Sequence, residues 1–265
     1  MSGDRIAAVA RQRLADHLAG ARYRSLSGEY RLDDVEQAYA AQRVLLELLE
    51  ENGRGAVVGY KIAVTSKAIQ DLVGIDQPCA AAILAGSVRQ SPAELSLGDF
   101  VRLGLEFELA VKIGRDMPAA TGPYDAASVL AFVDICMASF ELIEDRDADY
   151  SDLDAISLIA DNGWNGGVVL GSPSPSWRDL DWRATPVSLR YNDEVPETAT
   201  TGAAMGNPFE SLAWMANLMA AQGRPVTAGM IVITGSTLAT RYPKAGDTAT
   251  YEVAGLGSAS VTVTD

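Results

Sequence analysis

The 265-residue sequence predicts an α+β protein in which a helical N-terminal part is followed by a sheet-dominated core. Two observations predict this class. Apolar residues recur at helical spacing at the N-terminus, and after residue 100 short apolar segments of strand length greatly outnumber helical ones. Strands that follow one another with few intervening helices favour an α+β core over an alternating βαβ arrangement.

The N-terminal part contains two helical patterns. The first spans residues 5–20, and the second spans residues 33–51. Asp33 and Glu36 at the start of the second pattern resemble a capping pair, and Gly53 is placed to end it. We therefore predict two helices ahead of the sheet.

The predicted sheet begins with the segment AVVGYKIAVT at residues 56–65. Its β-branched residues favour a strand, and Thr65 or Ser66 then caps a short helix with the sequence SKAIQDLVG. We expect residues 1–55 to form a helical lead-in and residues 56–265 to form the main domain. The alternative is that both form one continuous domain.

A loop that carries Pro78 and Pro92 leads into a predicted strand at residues 103–116, and the middle of the chain then predicts one helix and one further strand. Residues 125–138 fit a helix capped by Asp125. Residues 139–145, with the sequence SFELIED, fit the strand that follows.

The last part of the chain predicts a single helix among short strands. This helix covers residues 208–222, with Asn207 as its cap and Pro208 in its first turn. The later segments that fit short strands are residues 165–171, 185–194, 230–236, 248–253 and 258–264.

The strand LGLEFELAVKIGRD, residues 103–116, carries two carboxylates in an otherwise apolar segment. With a period of two, Glu106 and Glu108 lie on one face and the large apolar residues lie on the other. Side chains two apart on a strand are roughly 6–7 Å apart, so both carboxylates could reach one cation. A solvated polar face is the alternative, since acidic residues are mostly exposed.

Composition excludes several classes of function. The formal net charge of −14 argues against a nucleic-acid partner or an anionic membrane surface, because either needs a basic face. There is no apolar run of about 18 residues and no N-terminal segment of the secretory type, so we expect a cytoplasmic protein without a membrane partner.

Cysteine and histidine usage narrows the chemistry further. Cys79 and Cys136 are too few and too isolated for a disulfide framework or a zinc site, so both are expected as reduced thiols. The single histidine, His17, lies in the first predicted helix, far along the chain from every other candidate residue. The sequence therefore argues against a Ser-His-Asp triad and favours chemistry by carboxylates, lysine, hydroxyls or a metal.

Two further residues are candidates for the same site as the carboxylate pair. Glu141 lies on a predicted strand and could supply a third carboxylate, which would complete an oxygen cage for Mg²⁺ or Mn²⁺. Lys61 lies in the strand GYKIAVT, where it is either an exposed strand lysine or a cation beside the metal that neutralises a substrate carboxylate.

Several ordered blocks of sequence together resemble one known family. They are GYKIAVTSKAIQDLVGIDQP, LEFELAVKIGRDMP, SFELIEDR, LIADN, GNPFESLAWMANLMAAQGRPVTAGMIVITGS and AGDTATYEVAGLGSASVTV. From about residue 30 to residue 264 the chain resembles the fumarylacetoacetate hydrolase superfamily. The resemblance is to its branch of 2-hydroxypentadienoate (2-keto-4-pentenoate) hydratases and 4-oxalocrotonate decarboxylases.

The resemblance implies a fold, a cofactor and a partner. The main domain is expected to be a catalytic domain with a mixed β-roll core of the fumarylacetoacetate hydrolase C-terminal type. Glu106, Glu108 and Glu141 are expected to hold Mg²⁺ or Mn²⁺, to which the carboxylate and 2-oxo oxygens of a small 2-oxo acid bind. Lys61 matches the active-site lysine, and Thr234 and Gly235 match a loop near the substrate. The family also implies a homo-oligomer.

Three residues depart from the hydratase pattern. Cys79 stands where the hydratases carry a second acid, Trp164 replaces a small residue, and Asn207 replaces a histidine. Cys79 and Trp164 are therefore expected to line the substrate pocket and to alter it.

The leading hypothesis from the sequence is a metal-dependent lyase that hydrates a 2-oxo or 2-hydroxydienoic acid. A 2-oxo-acid decarboxylase is the first alternative, because the decarboxylase branch also lacks an acid at the position of Cys79. An acylpyruvate C–C hydrolase and a catalytically silent binding subunit are the others.

Overall fold

The N-terminal helices and the sheets are seen in a computed structural model, which describes residues 2–119 and 123–265. The α-helices are α1 (Ser2–Ala19), α2 (Val35–Leu49), α3 (Lys67–Val73), α4 (Ala155–Ala160) and α5 (Pro208–Ala221). The strands are β1 (Val57–Ala63), β2 (Cys79–Leu84), β3 (Val88–Gln90), β4 (Ala93–Ser96), β5 (Leu103–Ile113), β6 (Val133–Glu144), β7 (Asn165–Leu170), β8 (Pro186–Tyr191), β9 (Glu197–Thr200), β10 (Ile231–Ile233), β11 (Thr248–Val253) and β12 (Gly257–Thr264). The predicted α+β class is confirmed.

Helices α1 and α2 form the predicted helical pair and pack on each other. The cap of α2 is Asp34, one residue later than the predicted Asp33, and its side chain accepts a hydrogen bond from the backbone N–H of Gln37. The buried face of α2 reaches the β-rich part of the chain, where the Gln42 amide donates to the carbonyl oxygens of Ala80 and Ile159. None of the helices described in the structure has the length and apolar character that a membrane crossing requires.

The strands form two sheets with mixed pairing. The larger sheet has the order β2–β1–β10–β5–β6–β7–β3, and the smaller has the order β4–β12–β11–β8–β9. In the larger sheet β1 with β10 and β3 with β7 are parallel, while β5 and β6 form a long antiparallel pair. The larger sheet curls into a roll, so that β2 at one edge contacts β7 near the other edge.

The two faces of β5 separate the core from the candidate site. Leu105, Phe107 and Leu109 are buried in the main hydrophobic core, where Phe107 packs against Tyr251 of the smaller sheet. The opposite face, inside the roll, carries the carboxylates. The alternation in the sequence therefore predicted the sidedness of this strand.

The predicted helix at residues 125–138 is wrong. The Asp125 side chain does cap a turn, since it accepts from the backbone N–H groups of Ala127 and Ser128, but only a short 3₁₀ turn follows. From Val133 the chain is strand β6, which pairs with β5 on one side and β7 on the other. The pairing of a central strand outweighs a local helical preference, because its hydrogen bonds and both its faces are buried.

Several elements lie where no regular structure was predicted. The segment around Pro78 and Pro92 contains β2, β3 and β4, with Pro92 in the turn between the last two. Helix α4 adds a second helix to the later part of the chain, so the prediction of a single helix there is wrong. Its six residues are too few to show a helical period in the sequence.

Candidate metal centre and active site

The three predicted carboxylates meet inside the roll. Glu106 and Glu108 are on β5, and Glu141 lies directly opposite Glu106 on β6. One oxygen from each carboxylate lies within 4.8 Å of the other two, and Glu108 and Glu141 are fully buried. The alternative prediction, that these residues form a solvated strand face, is therefore wrong.

The electrostatics of the cluster are unfavourable without a cation. Burial raises the pKa of Glu108 well above its usual value, and the negative charges of Glu141 and Glu106 raise it further. Burial also raises the pKa of Glu141 to about 7, although the Lys61 ammonium opposes the rise. Carboxylates that share a buried site cannot all ionise unless a positive charge lies between them.

The hydrogen bonds orient one oxygen of each carboxylate. The Thr240 hydroxyl donates to Oε1 of Glu106 at 2.7 Å, and the Gly235 N–H donates to Oε2 of Glu108 at 2.6 Å. In contrast, Oε1 of Glu108 and Oε2 of Glu141 are buried and have no hydrogen-bond partner among the described residues. Free carboxylate oxygens held in a buried cluster are the ligand set of a hard divalent cation, so the donor set fits Mg²⁺ or Mn²⁺.

Lys61 supplies the positive charge on the protein side of the cluster. It is buried on β1, and its Nζ lies 2.9 Å from Oε1 of Glu141, which also accepts from the Asn165 amide at 3.2 Å. Burial alone would lower the pKa of Lys61, but the charges of Glu141 and Glu106 outweigh it and raise the pKa. Lys61 therefore carries its charge next to the carboxylates at neutral pH and is not an exposed strand lysine.

Comparison with known families and proteins agrees with this site. The family described as "Fumarylacetoacetate (FAA) hydrolase C-terminal" matches residues 76–264, which hold all three carboxylates. The chain belongs to this family. The match begins after β1, so Lys61 and the N-terminal helices lie outside it.

Curated relatives extend the similarity over most of the chain. The chain is 32% identical to a 2-keto-4-pentenoate hydratase of Burkholderia vietnamiensis over 88% of its own length and 87% of that protein. It is 29% identical to a 2-hydroxyhexa-2,4-dienoate hydratase of Comamonas testosteroni, with 96% of each chain covered.

One solved structure has the same fold across the whole chain. It is 4-oxalocrotonate decarboxylase from Pseudomonas putida G7, complexed with magnesium and adipate. The TM-score is 0.89 at 24% sequence identity, with 99% of this chain and 98% of that chain covered. The N-terminal helices are therefore included in the shared fold, and the core is the roll of the fumarylacetoacetate hydrolase type.

Cys79 and Trp164, the two departures within the expected pocket, belong to one buried hydrophobic cluster. Cys79 is buried at the start of β2, and burial raises the pKa of its thiol to about 12, although the Lys61 charge opposes this. Trp164 is buried between the rings of Tyr23 and Tyr150, with centroid distances of 5.1 and 5.6 Å. Its indole N–H has no acceptor in the described part of the chain.

Thr234 and Gly235 follow β10 and lie beside the carboxylates. The Thr234 hydroxyl donates to the carbonyl oxygen of Leu109, and the Gly235 N–H donates to Glu108. Gly235 has a φ of +103°, and an added Cβ would lie 3.1 Å from the Thr65 side chain. In this family member the loop contacts the acidic cluster directly, and a glycine is needed for it to approach so closely.

The structure also brings in residues to which the sequence gave no role. Gly163 lies against Lys61, and Asn165 bonds to Glu141. Behind them the buried carboxylate of Asp161 lies 3.3 Å from Nε2 of His17. His17, which is far along the chain from the predicted site residues, thus contacts Asp161, a residue to which the sequence gave no role. The block LIADN contained the only sequence signal for Asp161.

Proposed function

We propose that this protein is a divalent-metal-dependent hydratase that adds water to a 2-hydroxydienoic acid, the enol form of a 2-oxo acid. The observation that carries the proposal is the buried cluster of Glu106, Glu108 and Glu141, with Lys61 bonded to one of its oxygens. The similarity to hydratases over 88% of the chain supports the same reaction class.

Glu106, Glu108 and Glu141 would hold Mg²⁺ or Mn²⁺, and two of their oxygens, Oε1 of Glu108 and Oε2 of Glu141, have no hydrogen-bond partner in the described part of the chain. When bound, such an ion acts as a Lewis acid on oxygen atoms of the substrate and lowers the energy of negative charge that develops there. Carboxylate and 2-oxo oxygens of one substrate are hard ligands of the type that these ions accept.

The chain's own residues supply the remaining electrostatics. Lys61 is buried and charged, so it can attract the substrate carboxylate and stabilise the negative charge of a dienolate. The N–H of Gly235 and the hydroxyl of Thr240 keep two carboxylates in place before substrate arrives. Cys79 keeps its proton at neutral pH, because its pKa is raised to about 12, so it cannot be the general base.

A 2-oxo-acid decarboxylase is the second candidate, and Cys79 is the observation that favours it. Water addition to a carbon needs a group that delivers or removes a proton there, and a buried neutral thiol replaces the acid expected at this position. An acylpyruvate hydrolase requires a base to activate water. The single histidine, His17, contacts Asp161 and not the acidic cluster, so that activity ranks lower.

Product mass separates these candidates in one experiment. The protein is incubated with 2-hydroxypenta-2,4-dienoate and, separately, with 4-oxalocrotonate, each with Mg²⁺, with Mn²⁺ and with EDTA. We expect a metal-dependent gain of one water by the dienoate. Loss of CO₂ from 4-oxalocrotonate without hydration of the dienoate would establish the decarboxylase, and no conversion of either would contradict the proposal.

The assembly and location stay as predictions. We expect a homo-oligomer without nucleic-acid or membrane partners, working in the cytoplasm, on the basis of family resemblance and the net charge of −14. Light scattering of the purified protein with and without Mg²⁺ measures the oligomer directly.

A further inference from the structure

An unusual turn connects α4 to β7 next to Lys61. Asn162, Gly163 and Trp164 all have left-handed backbone conformations, with φ between 57° and 58°. Glycine adopts this conformation freely and asparagine tolerates it, but a tryptophan in it is strained. Strained backbone of this kind persists only where the surrounding structure imposes it, and it is concentrated at functional sites.

Contacts on several sides hold the turn in place. The Asn162 side chain accepts from the N–H of Ala82 at 2.8 Å and donates to the carbonyl oxygen of the same residue at 2.9 Å, which attaches the turn to β2. Trp164 is packed between Tyr23, which follows α1, and Tyr150. The turn is therefore fixed both to the roll and to the N-terminal part of the chain.

The base of the turn is a buried carboxylate with three basic partners. Both oxygens of Asp161 accept from Nη2 of Arg146, at 3.0 and 3.1 Å, while His17 and Arg13 of α1 approach to 3.3 and 3.6 Å. Burial opposes ionisation, but the neighbouring His17, Arg146 and Arg13 outweigh it and hold the pKa of Asp161 well below its usual value. Asp161 is thus a charged anchor that connects α1 to the turn.

The other side of the turn contacts the catalytic lysine. A Cβ added at Gly163 would lie 3.0 Å from Cβ of Ala81 and 3.3 Å from Cε of Lys61, so the backbone of the turn lies against the lysine side chain. Asn165, at the end of the turn, shares Oε1 of Glu141 with the Lys61 ammonium. Both residues that orient this oxygen therefore depend on where the turn lies.

We propose that Asp161 is a positioning residue for Lys61: through Arg13 and His17 the N-terminal helix holds the left-handed turn of residues 162–164, and this turn holds the Lys61 ammonium on Glu141. The role rests on the proposed function, because it assigns the turn to the reaction in which Lys61 acts. It gives the N-terminal helix a part in turnover in addition to its part in stability.

Two variants test the role from opposite ends of the contact. Asp161→Asn removes the anchoring charge at nearly constant size. Gly163→Ala keeps the anchor but places a methyl group against Ala81 and Lys61. Each has a matched control. Asp154→Asn removes the carboxylate that caps the other end of α4, and Gly28→Ala places alanine at a φ of +58° where nothing lies within 4 Å.

The kinetic experiment compares the effect of each variant on kcat with its effect on metal affinity. We expect kcat for dienoate hydration to fall at least about tenfold in both variants, under conditions where each is fully folded. The affinity for Mn²⁺, measured by titration calorimetry, should change less than about threefold, because the metal oxygens are on β5 and β6. Both control variants should retain the parent kcat.

A second readout reports on Lys61 without any turnover. The chain contains four lysines, so a protein labelled with ¹⁵N at lysine Nζ gives a simple spectrum, and Lys61→Met identifies the Lys61 signal. At neutral pH a buried, ion-paired ammonium exchanges its protons with water more slowly than an exposed one, so its signal is sharper. We expect this signal in the parent and both controls, and its loss or broadening in Asp161→Asn and Gly163→Ala.

Each outcome supports or overturns the positioning role. An unchanged kcat in the folded variants, or a fall in kcat with an unchanged Lys61 signal, overturns it. If Asp161→Asn does not fold, Gly163→Ala alone decides. If the parent hydrates no dienoic acid, the proposed function fails by itself, and the Lys61 signal still decides whether the turn positions the lysine.

Discussion

The Nζ atom of Lys61 lies 2.9 Å from Oε1 of Glu141, and both side chains are buried inside the roll. This ion pair sets the charge of the centre. When Glu106, Glu108 and Glu141 are all ionised, the Lys61 ammonium leaves the centre with a formal charge of −2, which one divalent cation neutralises. The centre is thus arranged for a doubly charged ion.

Replacing Glu108 with glutamine should lower the affinity for metal without lowering the stability of the metal-free protein. The substitution removes a buried charge whose pKa is raised by burial and by its acidic neighbours, so the metal-free protein should be at least as stable as the parent. Its affinity for Mn²⁺ should fall at least about tenfold, and the same loss is expected for Glu106→Gln and Glu141→Gln.

Calorimetric titration with Mn²⁺ and thermal unfolding in EDTA measure the two effects. The control is Glu252→Gln, an exposed glutamate on β11. Saturation of the parent at 100 times Kd should add about 2.7 kcal/mol of stability that the variants lack. If all three variants bound Mn²⁺ as tightly as the parent, these carboxylates would not be the ligands.

The stability of the metal-free protein should fall as the pH rises from about 5 to about 8. Glu141 has a folded-state pKa raised to about 7, and the pKa of Glu108 is also raised. Groups with a raised folded-state pKa bind more protons in the folded state than in the unfolded state. Their contribution to the free energy of unfolding is present below the unfolded pKa and is lost as the pH rises through the folded pKa, a loss on the order of 1–3 kcal/mol.

Denaturant unfolding across this pH range, with EDTA and with saturating Mg²⁺, gives the measurement. Bound Mg²⁺ should reverse the trend, because the ion binds the ionised carboxylates. Glu108→Gln should reduce the slope in EDTA. If the stability of the metal-free protein rose with pH over this range, the raised pKa values of the buried carboxylates would be contradicted.

Lys61→Met should leave the metal bound and reduce turnover by about 10²- to 10³-fold, the range found when a positioned electrostatic group is removed. The loss should fall mainly on kcat, because the lysine charge acts most strongly on the dienolate. Mn²⁺ affinity should not fall, since one positive charge next to the carboxylates is removed. Lys67→Met, at an exposed lysine paired with Asp71, is the control. Unchanged turnover in Lys61→Met would make this lysine a structural residue.

Cys79→Asp should increase kcat/KM for 2-hydroxypenta-2,4-dienoate. The new carboxylate would lie near the Lys61 charge, which already acts on the Cys79 thiol, and would supply the proton-transfer group that the thiol lacks. The control is Cys79→Ser, which adds a polar group at the same position without adding an acid. Cys136→Asp is not a suitable control, because it would place a carboxylate at another buried position. If the parent already hydrates this dienoate efficiently and Cys79→Asp has no effect, the pocket is that of an ordinary hydratase.

Trp164→Ser should change substrate preference and should also cost stability. The indole packs between Tyr23 and Tyr150, so its removal is expected to cost about 3–5 kcal/mol. Trp164→Phe keeps most of this packing and is the matched variant. The measurement is the ratio of kcat/KM for 2-hydroxypenta-2,4-dienoate to that for its six-carbon homologue. An equal ratio in the parent and both variants would mean that Trp164 only packs in the core.

Local patterns in the sequence determined the helical pair at the N-terminus, most of the strands and the sidedness of β5. These features follow from neighbours in the chain: a period of 3.6 or 2 and the chemistry of caps and turns. The Glu106/Glu108 pair was therefore identifiable at once as two carboxylates on one face. The third carboxylate, Glu141, was identifiable as a candidate, but its position opposite Glu106 was not.

Only the tertiary structure decided the rest of the site. Val133–Glu144 became a strand because β5 and β7 pair with it, against the helix expected after Asp125. Folding places His17 next to Asp161 and the left-handed turn against Lys61. It also buries two carboxylate oxygens that have no hydrogen-bond partner in the described part of the chain. The physical reason is that the energies of these contacts depend on distance and burial in three dimensions, between residues that are far apart in the chain and leave no local pattern in the sequence.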